Sequence, residues 1–205
     1  MSSIIYAVKA AGAKPVQSKD LPLRKSKLET ALTREAIVAA AADLIRRTGI
    51  VEASLADMMA AAGLTHGGFY RHFRNKEQLV SEALSAAGDK TIATIGRRIA
   101  KGGLNAAVDG YLSKSHRDSP TPICPFAALG SEIARSGKET KIAATELLEK
   151  VFVTLAGDAP DREEARSAAI LVLSTMIGAM TLARIVADPD LSSEILDCAK
   201  EHLHR

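Results

Sequence analysis

The chain contains no tryptophan, and its aromatic side chains make up only 3% of 205 residues. A core must therefore come from aliphatic side chains and alanine. Cysteine is scarce as well. Cys124 and Cys198 lie far apart with no C-x-x-C spacing, and the five histidines show no H-E-x-x-H or other ligand spacing. This argues against a disulfide framework and a structural zinc. No P-loop, G-x-S-x-G or G-x-G-x-x-G pattern occurs, so the sequence offers no catalytic constellation, and no cofactor is expected. Hardly any stretch alternates with period two, which argues against strands. The first residues, MSSIIYAVKAAGAKP, lack a basic start and a sustained apolar run. No secretory signal is read there, and the cytoplasm is the expected location.

What remains is rich in alanine and leucine with helical spacing, so the expected fold class is all-α. The net charge of +3 is uneven: residues 1–80 carry +5 and residues 81–205 carry −2. A basic N-terminal portion on a slightly acidic remainder suits one DNA-facing module.

Residues 33–80 concentrate helix-start signals. Thr33, Ser54 and Thr65 are N-cap candidates whose hydroxyls could accept a first-turn N–H. The pairs Leu32/Ile37, Ala53/Met58 and Leu64/Phe69 have the spacing of a hydrophobic staple around them. Asn75 with Gln78 forms a capping-box pattern. The spacing predicts helices over 33–48, 54–62 and 65–73, with Gly49 ending the first and Gly63 forming a tight turn. Ile37, Ala40, Ala41, Leu44, Ile45, Leu55, Met58 and Met59 should face inward. Phe69 and Phe73, four apart, should share the core face, leaving His66, Gly67, Tyr70 and Arg71 opposite. That layout is what a helix-turn-helix DNA reader needs. Gly67 and Gly68 would either let the backbone approach DNA closely or merely loosen the first turn.

Further on, helices are expected over 76–87, continuing as 90–100 after Gly88, then 104–115 after a break at Gly102-Gly103. A loop with three prolines, SHRDSPTPICP, follows. The last helices are expected over 126–136, 138–155, 162–187 and 191–202. Residues 167–183 hold no charge. They fall short of the roughly 20 apolar residues of a membrane span, and Arg166 and Arg184 bracket them. A helix buried nearly all round is the expectation, with Ala168, Ser174, Gly178 and Ala179 small enough for close approach, and no membrane as a partner.

The stretch GLTHGGFYRHFRNKEQLV resembles the recognition helix and fourth-helix start of TetR-type (TetR/AcrR) transcriptional regulators. Thr65, Gly67, Phe69, Tyr70, Phe73, Asn75, Lys76 and Leu79 occupy the pattern's places. Upstream, Thr33-Arg34-Glu35, Gly49, Ser54-Leu55-Ala56-Asp57 and Ala60-Ala61-Ala62-Gly63-Leu64 also fit. CPFAALGSEIARSG resembles a segment of some ligand domains in that family. The resemblance implies an N-terminal three-helix DNA-binding domain and a larger helical effector-binding and dimerisation domain. The domains would span residues 31–80 and 81–205. Residues 1–30 would be a basic extension, either disordered or adding phosphate or minor-groove contacts.

The implied activity is that of a ligand-responsive repressor. It binds a palindromic operator in double-stranded DNA as a homodimer and is released by a small, mostly apolar effector. Tyr70 resembles a phosphate-contacting tyrosine, and Lys76 a phosphate clamp at a helix N-terminus. Ser54 and Thr65 would cap and touch phosphate, His72 is a further phosphate candidate, and Thr33 and Arg34 would reach the backbone. Base reading would fall to His66, Gly67, Gly68 and Arg71. The effector pocket would draw on Tyr111, Cys124, Phe126, Phe152, Met176 and Met180, each of which could instead be plain core. Two other readings stay open: a redox or electrophile sensor acting through Cys124, and an all-α ligand-binding protein without DNA function.

Overall fold

The structure, a computed structural model, describes residues 27–204. The expected basic extension therefore lies outside the described residues, apart from its last few. Among them the fold is entirely helical: α1 (Lys27–Thr48), α2 (Leu55–Ala61), a 3-10 turn (His66–Arg71), α3 (Lys76–Tyr111), α4 (Lys114–Arg117), α5 (Pro125–Arg135), α6 (Lys138–Ala156), α7 (Arg162–Ile185) and α8 (Pro189–Leu203).

Thr33 does not cap α1. The good helix formers from Lys27 to Leu32 carry the helix back beyond it. Its hydroxyl bonds to the Glu29 carbonyl at 2.7 Å, as threonine does inside a helix. The first staple fails with it, since Leu32 stays exposed. Gly49 ends α1 at φ +92°, a backbone that favours glycine. Ser54 caps α2 in a full capping box with Asp57. Asn75 caps α3 through the Gln78 N–H at 2.8 Å. The return bond differs from expectation: the Gln78 side chain accepts from the Arg74 N–H, one residue earlier, at 2.8 Å.

α3 passes through Gly88 without interruption. The glycine is there for packing, because a Cβ would lie 2.1 Å from both methyls of Leu147 on α6. The expected break does occur at Gly102 and Gly103, whose φ/ψ values leave the helical region. α5 to α8 start and stop within two residues of expectation, with Pro125 and Pro189 in their first turns and Asp161 and Asp188 as caps.

Two apolar clusters organise the packing. The first joins Ile37, Ile45, Met58, Met59, Phe69, Phe73, Leu79 and Leu84 to Leu129 and Ile133 of α5 and Ala143 and Ala144 of α6. The second gathers Ile95, Val108, Tyr111, Cys124, Leu173, Met176, Met180 and Leu196. α7 is not buried all round within the chain. Ala169, Leu173, Met176 and Met180 are buried, whereas Leu171, Leu182 and Ile185 on the other side are exposed.

Candidate nucleic-acid interface

α1 and α2 form a platform for the 3-10 turn. Phe69 is fully buried and stacks on Phe73, with centroids 5.6 Å apart and planes 22° apart. This anchoring turns the opposite side outward. His66, Gly67, Tyr70 and Arg71 are all exposed. Tyr70 stands edge-on to Phe69 at 5.1 Å and leaves 71% of its surface in solvent. Its ring edge rests on Phe69, but its hydroxyl has no hydrogen bond to the described residues and faces solvent.

The expected third helix is a 3-10 turn and ends at Arg71 rather than 73. Two consecutive glycines explain this, since each costs about 1 kcal/mol in an α-helix. The chain's own packing does not require them. A Cβ at Gly67 would meet nothing within 4 Å, and one at Gly68 only the Met59 methyl at 3.8 Å. Thr65 has the extended backbone of an N-cap, but its side chain makes no capping bond. Its exposed hydroxyl is free for an outside acceptor. Ser54 is exposed too, with its Oγ held 2.5 Å from Asp57 Oδ2.

Four expected DNA residues are committed to the fold. Arg34 bonds Glu82 Oε1 at 2.6 Å, donates through Nε to the His72 carbonyl at 3.3 Å, and lies 4.6 Å over the Phe73 ring. Lys76 donates to the Ile50 carbonyl at 2.9 Å and is half-buried. His72 is half-buried, with its ring 6.4 Å from Phe73. Thr33 is half-buried in α1.

Links from this unit to the remaining helices had no local signal in the sequence. Glu132 of α5 accepts the Val51 N–H at 2.9 Å, beside Gly49. Glu77 accepts the Glu139 N–H at 3.0 Å, and Arg74 pairs with the Glu139 carboxylate at 3.4 Å. Buried Arg46 donates to the Pro122 carbonyl at 3.0 Å and also pairs with Asp43. Each joins residues far apart in sequence or uses a backbone group, so no spacing rule could reveal it.

Of the expected effector residues, Tyr111, Cys124 and Phe126 line one apolar cleft with Ile95, Leu147 and Leu173, too tight to hold a water molecule. Met176 and Met180 are fully buried in the surrounding core. Phe152 is elsewhere, in an open groove beside Arg166, whose guanidinium lies 5.5 Å from the ring centroid. Burial pushes the Cys124 thiol above its ordinary range, against smaller opposing effects of Tyr111 and the Ala127 and Phe126 N–H groups. At Cys124 desolvation thus outweighs the helix end.

The sequence profile described as "Bacterial regulatory proteins, tetR family" matches residues 37–83. An uncharacterized HTH-type transcriptional regulator of Mycobacterium tuberculosis is 30% identical over 171 residues, covering 76% of this chain and 86% of that protein. The HTH-type transcriptional regulator TtgR of Pseudomonas putida is 38% identical over 64 residues, 31% of this chain and 30% of that protein. Among solved structures, a TetR transcriptional regulator from Chloroflexus aurantiacus aligns with a TM-score of 0.68 and 27% identity, covering 86% of this chain and 94% of that one. The long relative, the profile and the exposed turn agree. The chain belongs to the TetR family of bacterial regulatory proteins and is a DNA-binding transcriptional regulator, not an enzyme.

Proposed function

We propose that this regulator is a cytoplasmic repressor that binds a palindromic operator as a homodimer and leaves it when a small, mostly apolar effector binds. Residues 31–80 would be its DNA-binding domain and residues 81–205 its effector and dimerisation domain. The observation that carries the reading is the outward-facing turn from His66 to Arg71, in which the Tyr70 hydroxyl has no hydrogen bond to the described residues and neither glycine is needed for close packing within the chain. Tyr70 and Thr65 contact phosphate; Ser54 and Lys76 support the same backbone. His66 and Arg71 read base edges, with Gly67 and Gly68 allowing close approach. Lys76 also holds the unit together, so its contribution to binding is partly structural, and Arg34 acts through the fold alone.

Two recognition turns must lie about one DNA turn apart to read a palindrome. The exposed apolar side of α7 and α8, with Leu171, Leu182, Ile185 and Leu191 around Gly178 and Ala179, supports a twin chain there. α3 is the lever. From Lys76 to Gly102 it spans about 39 Å at 1.5 Å per residue, from the DNA-facing unit to the cleft at Ile95 and Tyr111. An effector shifts the separation only by its affinity difference between the two states. Sedimentation and footprinting test the reading together. A dimer protecting two half-sites is expected, and a monomer or protection of a single half-site would overturn it.

A further inference from the structure

Among the described residues, two buried polar atoms beyond the DNA-facing unit, Nε2 of His116 and Nη1 of Arg184, have no hydrogen-bond partner, and the buried Tyr111 hydroxyl has only the weakly accepting Cys124 thiol near it. They share one neighbourhood. The Tyr111 and His116 rings meet edge to face, 4.7 Å between centroids. Nδ1 of His116 lies 2.6 Å from the Tyr111 carbonyl, which can only accept, so that nitrogen carries the proton. Arg184 uses Nη2 for the His116 carbonyl at 2.8 Å and Nε for the Arg117 carbonyl at 3.2 Å, leaving Nη1 over. Its charge acts on Tyr111, His116 and Cys124 alike.

The charge balance here is one-sided. Arg98, folded over Gly110, also acts on His116. Besides Tyr111 and Cys124, the group that acts on Arg184 is the Asp118 carboxylate, and Arg117 already holds both its oxygens, at 2.6 and 3.0 Å. A buried charged donor left unpaired costs about 1–3 kcal/mol or more. Core packing alone gives no reason to keep these polar groups in one neighbourhood. Tyr111 also lines the apolar cleft of Ile95, Phe126, Val151 and Leu173. A polar corner thus adjoins an apolar slot.

We propose that Arg184, Tyr111 and His116 form the head-group site for a small organic carboxylate whose apolar body enters the cleft of Ile95, Phe126, Val151 and Leu173. The inference rests on reading this region as the effector domain and names the effector's chemical class. Arg184 Nη1 and the Tyr111 hydroxyl donate to the carboxylate. An anion beside His116 favours the imidazolium, which makes Nε2 a third donor. The slot must widen to admit the body, so binding is coupled to movement among α3, α5, α6 and α7, which form its walls.

The test is calorimetric titration of the full chain with phenylacetate and octanoate, each against its uncharged amide. Wild-type protein should bind the acids at least about tenfold more tightly than the amides, a difference of about 1.4 kcal/mol. Tyr111→Phe and Arg184→Gln should each erase most of that preference. Should Arg184→Gln fail to fold, Tyr111→Phe decides, because it keeps the ring in place. Equal affinity for acids and amides, unchanged preference in the variants, or no binding by either class would each overturn the proposal. DNA release by amides without a preference for acids would leave the effector reading standing while this one falls.

Discussion

Arg34→Met separates two roles of one side chain, DNA contact and structural tie. The ion pair with Glu82 has side chains 36% and 28% exposed, which limits it to about 0.5 kcal/mol. The bond to the His72 carbonyl is long, at 3.3 Å, and contributes about 0.5–1 kcal/mol. The guanidinium over Phe73 adds about 0.5 kcal/mol at a partly exposed site. Methionine keeps much of the apolar stem cover. The interactions share one group and do not add fully, so the expected loss is about 1–2 kcal/mol. For a chain of this size that lowers Tm by about 3–6 °C. Thermal unfolding should be compared at one protein concentration, because a dimer's Tm depends on it. The salt dependence of DNA binding should stay unchanged, because Glu82 already neutralises the guanidinium. Unchanged stability together with a salt slope shallower by about one unit per protomer would refute the reasoning and make Arg34 a phosphate contact.

Other substitutions probe the rest of the account. Gly178→Arg should yield a folded monomer by sedimentation, since a charge would be buried against a twin helix; a dimer of unchanged affinity would place the interface elsewhere. His116 is held below its ordinary pKa of 6.5 mainly by burial, which outweighs the opposing bond to the Tyr111 carbonyl, with Arg184 and Arg98 adding to the lowering. Below pH 6.5 the unfolded chain therefore binds more protons, and stability should fall as pH drops through that range. His116→Gln should flatten the slope in urea titrations at several pH values. Cys124→Ser should leave effector response nearly intact, and mild peroxide should not release the wild type from DNA. Iodoacetamide should spare buried Cys124 in native protein and modify it after unfolding; peroxide release abolished by Cys124→Ser would favour the redox reading.

The boundaries of α2 and of α5 to α8 and the start of α3 were legible because their signals are local, whereas the helix expected over 104–115 ends at Tyr111 and the short α4 runs into the expected proline loop. Ser54, Asn75, Asp161 and Asp188 sit directly on the N–H groups they cap. Thr33 misled because a threonine can bond back inside a helix as well as cap one, and only the residues before it decide. Gly88 read as a break because the sequence does not show Leu147 lying against it. The outward side of the recognition turn followed from Phe69 and Phe73, whose burial fixes where Tyr70 and Arg71 point. Arg34 and Lys76 differ: their partners, Glu82 and the Ile50 carbonyl, lie far along the chain. The polar corner at Tyr111 was hidden for the same reason, since Arg184 reaches His116 across 68 positions.

The central claim is that the turn from His66 to Arg71 carries DNA recognition. Fluorescence anisotropy with DNA from upstream of the chain's own gene, over a range of salt, tests it with Tyr70→Phe and Arg71→Met. Both side chains are exposed, so neither change should disturb folding. Tyr70→Phe should weaken binding to every sequence while keeping the salt slope, because an uncharged phenol releases no counterion. Arg71→Met should lower affinity by about 1–3 kcal/mol, narrow the gap between specific and random DNA, and reduce the slope by about one unit per protomer. Wild-type affinity, specificity and slope in both variants would contradict the account.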